Sequence, residues 1–221
     1  MVRLYHFPLC PFSRKVRLAL GEKEIEAEEV AVEPWADRER VAALNPAAEV
    51  PVLEEAGERI ADSGVICEYL EDTRPKPALI GTSPAERAEV RRLVAWFDVK
   101  FVREVTDPLW GEKLLKRVRD RETPHSIALR AGLANINAHL ECVAYLFERR
   151  NWLAGDQLSL ADLAAAAQLS VLDYLGDVPW DRHPEARLWY ARIKSRRSFR
   201  PLLADRLVGI KPADHYADLD F

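Results

Sequence analysis

Cys10 opens the stretch Cys10-Pro11-Phe12-Ser13 and is followed directly by Arg14 and Lys15. A cysteine just before a predicted helix lies near backbone N–H groups that lack intrahelical partners, at the positive end of the helix dipole. Arg14 and Lys15 add two cations. Each effect favours the thiolate, so the sequence predicts a lowered thiol pKa. A dithiol redox centre needs a second cysteine at position 13, and Ser13 stands there, so a disulfide within this motif is excluded. Single-thiol chemistry remains: a mixed disulfide, or thiolate attack on an electrophile. The bland alternative is that Cys10 is a small buried hydrophobe.

Two other spots offer matching recognition chemistry. Val50-Pro51 opens a predicted strand, and a cis X-Pro bond there would leave the Val50 N–H and C=O available to an extended peptide. Asp62-Ser63 precedes another predicted helix, where the Ser63 hydroxyl and the first N–H groups form an end suited to a carboxylate. Taken alone, Pro51 reads as a strand-start proline and Ser63 as a helix cap.

The elements that would position these residues follow from periodicity and punctuation. Arg3–Phe7 reads as a strand, Ser13–Lys23 as a helix and Glu28–Val32 as a second strand, forming a βαβ unit. Asp37–Leu44 is a short helix with Asp37 as its expected cap, ended by Asn45-Pro46. Val50–Leu53 and Arg59–Ala61 form a hairpin around Glu55-Ala56-Gly57-Glu58, and Ser63–Asp72 closes the unit. The order β-α-β-α-β-β-α is thioredoxin-like. Pro75 and Pro77 then stiffen a linker.

Beyond Pro84 the pattern is helical throughout. Val90, Leu93, Val94, Phe97 and Phe101 recur at helical spacing, as do Leu129, Leu133, Ile136, Leu140, Val143 and Phe147. Asp107-Pro108 and Glu122-Thr123-Pro124 are expected to separate helices, with further helices at 159–175, 183–195 and 199–203. The expected organisation is α/β plus all-α: residues 1–78, an all-helical domain over 79–209, and an acidic, aromatic tail over 210–221.

The net charge of −4 provides no global basic field for nucleic acid, and no apolar run approaches a membrane span. The three cysteines are too few and too scattered for a disulfide framework and suit a reducing compartment, so a cytoplasmic location is expected.

Cys10-Pro11-Phe12-Ser13, Glu49-Val50-Pro51-Val52-Leu53 and Asp62-Ser63 with Glu68-Tyr69-Leu70 resemble the N-terminal domain of glutathione transferases. Trp152 through Asp162 resembles that superfamily's C-terminal capping segment; Ser159 and Asp162 have capping-box spacing. The resemblance spans nearly the whole chain. It implies that Val50 pairs with the glutathione backbone, that Asp62 and Ser63 hold the γ-glutamyl end, that Ser13 and Pro51 belong to the same glutathione pocket, and that Cys10 occupies the catalytic position. The superfamily usually has Glu or Gln where Asp62 stands, and Asp is one methylene shorter.

A narrower resemblance rests on Val90–Asp98, Gly111-Glu112-Lys113 and the terminal His215-Tyr216-Ala217-Asp218-Leu219-Asp220-Phe221. These look like a branch of alphaproteobacterial glutathione-transferase-like cell-division proteins that bind FtsZ filaments. That branch implies a homodimeric, non-catalytic FtsZ adaptor that needs no cofactor, with glutathione as an optional ligand. It implies partner contacts at Trp35, Glu112, Arg130, Asp218, Leu219, Asp220 and Phe221. On the residues alone, Trp35 is a dimer or partner anchor, a lid over the first-domain site or simple packing on its own domain. Glu112 and Arg130 read as solvated charge, and the tail either packs back on the bundle or engages a partner. The alternative function is a Cys-type glutathione transferase or glutathione-dependent thiol reductase.

Overall fold

The computed structural model describes residues 1–219; Asp220 and Phe221, two of the expected partner contacts, lie outside the described residues. The first domain is built on a four-stranded sheet ordered β2-β1-β3-β4. Its strands are β1 (Val2–His6), β2 (Ala27–Ala31), β3 (Val52–Glu55) and β4 (Glu58–Ala61). β1 runs parallel to β2 and antiparallel to β3, and β3 pairs antiparallel with β4 in the expected hairpin.

Strand alternation sorts the side chains. Leu4 pairs with Leu53 and joins the main core with Val16, Ile66 and Leu70. Tyr5 pairs with Val52 and joins a separate cluster with Val32 and Val41. Two helices, α1 (Pro11–Glu22) and α3 (Ser63–Thr73), therefore contribute to the main core, while α2 (Arg38–Leu44) supplies Val41 to the second cluster. Asp37 occupies the N-cap position of α2, but its side chain makes no capping hydrogen bond, contrary to expectation.

The helical domain begins with α4 (Pro84–Ala95), whose Ser83 and Glu86 form a capping box. It passes without a break into a π-wound segment, Trp96–Asp120. Pro108 lies inside this segment, so Asp107-Pro108 does not separate two helices. Its neighbour α5 (Ser126–Phe147) is tied to the same turn: Asn135 Nδ2 donates to the Glu104 carbonyl at 2.9 Å. In a π-wound helix each N–H bonds the carbonyl five residues back, so the acceptor that Pro108 leaves unserved is that of Arg103. Gly132 in α5 permits the close approach; a Cβ there would lie 2.7 Å from Leu109 Cγ and 3.0 Å from Pro108 Cβ.

The remaining helices are α6 (Leu160–Tyr174), α7 (Pro184–Lys194) and α8 (Arg200–Ala204). α6 is buried along its whole length. Asp162 fixes its start: Oδ2 accepts from the Ser159 N–H at 3.1 Å, and Oδ1 accepts from the Leu153 N–H and Trp189 Nε1 at 2.9 and 3.0 Å. α1 packs against α6, so one apolar core runs through both domains.

Residues 210–216 pack back on the bundle. The Ala213 N–H donates to the Tyr174 carbonyl at 2.9 Å, and Tyr174 OH donates to the Ile210 carbonyl at 2.8 Å. Tyr216 is fully buried, edge-on to Tyr174 at 5.0 Å. Beyond it Asp218 and Leu219 are exposed, with Asp218 N–H bonded to the His215 carbonyl.

Candidate functional site

Cys10 is the N-cap of α1, followed by Pro11 in the first turn. The Ser13 N–H reaches Cys10 Sγ at 3.5 Å, and the thiol lies 3.9 Å from the Val50 carbonyl oxygen. The expected helix-start geometry is therefore present. Its expected electrostatic consequence is reversed: burial pushes the Cys10 thiol up, outweighing the hydrogen bonds from Ser13 and the charge of Arg14.

The two cations are engaged elsewhere. Arg14, fully buried, donates to the Pro8 carbonyl, Ser170 Oγ, Tyr216 OH, the Leu202 carbonyl and Asp205. Lys15 forms a buried ion pair with Asp98. Both side chains turn into the junction between domains and hold α1 against the bundle and the tail. Cys10 is thus a neutral thiol whose S–H is directed toward Val50, so part of the Val50 carbonyl's capacity is used within the chain.

Two adjoining cavities flank Val50. One, of about 370 Å³, gathers Phe7, Cys10, Phe12, Trp35, Val50 and Trp110, with Arg38, Glu49, Leu115 and Arg119 also lining it. The other, of about 340 Å³, gathers Phe12, Asn45, Glu49, Val50, Pro51, Asp62 and Ser63. Val50-Pro51 is cis, as the sequence suggested. The structure therefore brings Cys10, Val50, Pro51, Asp62, Ser63 and Trp35 to one continuous groove. Ser13 is not part of its wall: it is fully buried beneath, with Oγ accepting from the Phe7 N–H at 3.4 Å.

Asp62 behaves differently from a simple ligand-binding residue. Its carboxylate accepts from the Gly64 and Val65 N–H groups at 2.7 and 3.1 Å, capping α3. Its φ of 74° lies in the left-handed region that disfavours a side-chain-bearing residue. Two of the helix-start donors that would hold a ligand carboxylate, the Gly64 and Val65 N–H groups, are taken by the chain's own. Among the described residues, the charged groups lining this second cavity are Glu49 and Asp62, both carboxylates.

Trp35 sits in a loop, edge-on to Phe7 with ring centroids 5.0 Å apart, and forms a wall of the Cys10 cavity. Of its three readings, packing on its own domain and covering the site are both present in this geometry. Trp110 was not singled out from sequence. It comes from the π-wound segment, is 8% exposed, and its Nε1 is buried without an acceptor. Such an unmet donor costs about 1–3 kcal/mol. Its signal was a tryptophan directly before Gly111-Glu112-Lys113.

Glu112 is not a free surface carboxylate. It accepts from the His125 N–H at 2.7 Å and pairs with Lys116 at 3.2 Å, which together hold it below the usual carboxylate range. It pins the 121–125 connection to the π-wound segment. Arg130 is exposed on α5. Neither lines the groove around Val50. A separate cleft joins Lys113 and Arg117 to the root of the tail at Ile210 and Lys211. Among the described residues, no cluster suited to a metal ion exists, and no helix is long and apolar enough to cross a membrane.

Residues 4–78 match the glutathione S-transferase N-terminal domain and residues 117–192 the C-terminal domain. Over 222 aligned residues the chain is 49% identical to FtsZ-localized protein A of Caulobacter vibrioides, covering 99% of this chain and 97% of that one. This chain belongs to the glutathione S-transferase superfamily.

Solved superfamily structures reproduce the whole architecture. A glutathione S-transferase from Rhodospirillum rubrum F11 superposes with a TM-score of 0.98 at 57% identity, covering all of both chains. FzlA from C. crescentus superposes with a TM-score of 0.96 at 48% identity, covering 100% of this chain and 99% of that one. The thioredoxin-like first domain and superfamily-type helical second domain read from sequence are both present.

Proposed function

We propose that this chain is a cell-division adaptor that binds FtsZ filaments as a homodimer and carries out no catalysis. The observation that carries the proposal is its likeness, across nearly the full length of both chains, to FtsZ-localized protein A. Two features of the groove support it. Cys10 is a buried, neutral thiol, a poor nucleophile at neutral pH. The cavity next to it has carboxylates at Glu49 and Asp62, and Asp62 already caps α3.

On this reading the protein acts in the cytoplasm at the division site and needs no cofactor. A dimer offers two copies of each contact patch to a polymer of repeating subunits, so avidity supplies much of the binding. The contacts are the exposed Asp218 and Leu219, the Asp220 and Phe221 that follow them, and Trp35, Glu112 and Arg130. Use of Glu112 requires exchanging its bonds to His125 and Lys116.

Co-sedimentation with polymerised FtsZ tests this. Deleting Leu219–Phe221 leaves the Tyr216 anchor in place, so the truncated protein is expected to fold and to lose most filament binding. Normal pelleting of the folded truncation removes the tail from the contact.

A second reading, a Cys-type glutathione transferase or thiol reductase, is favoured by Cys10 at the N-cap of α1 beside Val50. Saturable glutathione binding, together with activity abolished in Cys10→Ala, would establish that reading and displace a purely adaptor role.

A further inference from the structure

The cleft between the end of the π-wound segment and the root of the tail is used neither by the groove around Val50 nor by the contacts proposed for the filament. Its walls are Lys113, Arg117, Leu175, Ile210 and Lys211, with residues 122–124 along one rim. It holds about 550 Å³, room for a small organic ligand. The floor is firm: Leu175 and Ile210 are half-buried against the main core, and the Ile210 carbonyl accepts from Tyr174 OH at 2.8 Å. Gly209 turns the chain at the cleft with a φ of 83°, and a Cβ there would meet nothing within 4 Å, so this side stays open.

The charges in the cleft do not cancel. Lys113 is paired with the buried Asp177. Glu122, the carboxylate on the rim, lies 3.9 Å from Lys116 Nζ. The other two cations, Arg117 and Lys211, are exposed and pair with no carboxylate among the described residues. Arg117 comes from the π-wound segment and Lys211 from the tail root, so two uncompensated positive charges reach one cleft from separate elements, in a chain whose net charge is −4.

A guanidinium fork and a flexible ammonium together suit a tetrahedral dianion, whose oxygens accept from both walls at once; a carboxylate is planar and carries half that charge. Leu175 and Ile210 offer the rest of such a ligand an apolar surface. We propose that this cleft binds a small organic phosphate monoester. Arg117 and Lys211 hold the phosphate, and the apolar body lies over Leu175 and Ile210. No bond forms or breaks. No residue of the cleft belongs to the filament contacts, so failure of this site would leave the adaptor reading untouched.

Three probes test it in titrations of the full chain: 1-naphthyl phosphate; 1-naphthol, which keeps the rings without the phosphate; and inorganic phosphate, which keeps the charge without the rings. The naphthyl phosphate is expected to bind saturably and about tenfold more tightly than either of the others. Arg117→Gln and Lys211→Gln, both at exposed positions, should each weaken it about tenfold and leave 1-naphthol unchanged. Arg200→Gln removes the same charge from an exposed position on α8 and should leave all three affinities unchanged. Equal affinity for 1-naphthol or for inorganic phosphate, naphthyl phosphate binding that survives both cleft substitutions, or an equal loss in Arg200→Gln would overturn the proposal.

Discussion

Arg14 and Tyr216 stand 202 residues apart and are joined by a buried hydrogen bond of 2.9 Å from the guanidinium to the phenol oxygen. One turn after Cys10, the first helix of the thioredoxin-like domain is thus tied to the end of the chain. The Tyr216 hydroxyl donates in turn to the Leu202 carbonyl at 2.9 Å. The tail through Tyr216 is a structural part of the domain junction, and the exposed end begins beyond it.

Tyr216→Phe keeps the ring against Tyr174 and removes only the hydroxyl. It deprives a buried guanidinium of one acceptor and leaves the Leu202 carbonyl without one of its donors. The expected loss is about 1–3 kcal/mol, read as a lower urea midpoint. An unchanged urea midpoint would mean that the Tyr216 hydroxyl adds nothing to the junction.

The three cysteines should react in an order set by burial. Cys142 is partly exposed, Cys10 is buried, and burial pushes the Cys67 thiol up to about 12. Brief iodoacetamide treatment near neutral pH, followed by mass spectrometry, is expected to label Cys142 first, Cys10 more slowly and Cys67 least. Cys10 labelled ahead of Cys142 would mean an activated thiolate and would favour the enzyme reading.

Gly132→Ala reverses the usual helix preference. In an exposed helix interior, alanine would stabilise by about 1 kcal/mol. Here the added Cβ meets Leu109 Cγ at 2.7 Å, and Leu109 is fully buried. The overpacking is expected to destabilise by about 1–3 kcal/mol, measured by chemical denaturation. A more stable variant would mean that α5 and the π-wound segment can separate freely at Pro108.

His215 makes tail docking pH-dependent. Its Nε2 lies 2.9 Å from Asp173 Oδ1, and the Asp173 bond raises its pKa. Asp214 also raises it, while partial burial and Lys194 oppose. A raised folded-state pKa contributes stability that is fully present below the unfolded histidine value, about 6.5, and is lost as pH rises through the folded value. The Tm difference between the parent protein and His215→Gln should therefore be larger near pH 5.5 than at alkaline pH. A difference independent of pH would mean that His215 acts only as a neutral hydrogen-bond partner.

The local grammar of this chain was readable in its sequence. The βαβ unit, the hairpin at Ala56-Gly57, the Ser159–Asp162 capping box and the cis Val50-Pro51 bond each depend on residues close together in sequence. What was not readable depends on distant partners. Arg14 and Lys15 suggested a lowered thiol pKa, but Tyr216, Asp205 and Asp98 draw both cations inward. Pro108 suggested a helix break, yet the π-wound segment runs through it, and Gly132 on α5 leaves room for Pro108 and Leu109. Trp110 escaped notice because a tryptophan at helical spacing is ordinarily core; its unmet Nε1–H is visible only once its neighbours are placed.

Filament binding without thiol chemistry is tested most directly by co-sedimentation of the full chain and of Cys10→Ala with polymerised FtsZ. Both proteins are expected to pellet with the polymer to the same extent, with no requirement for added glutathione. A full chain that stays in the supernatant while turning over glutathione through Cys10 would contradict the adaptor role.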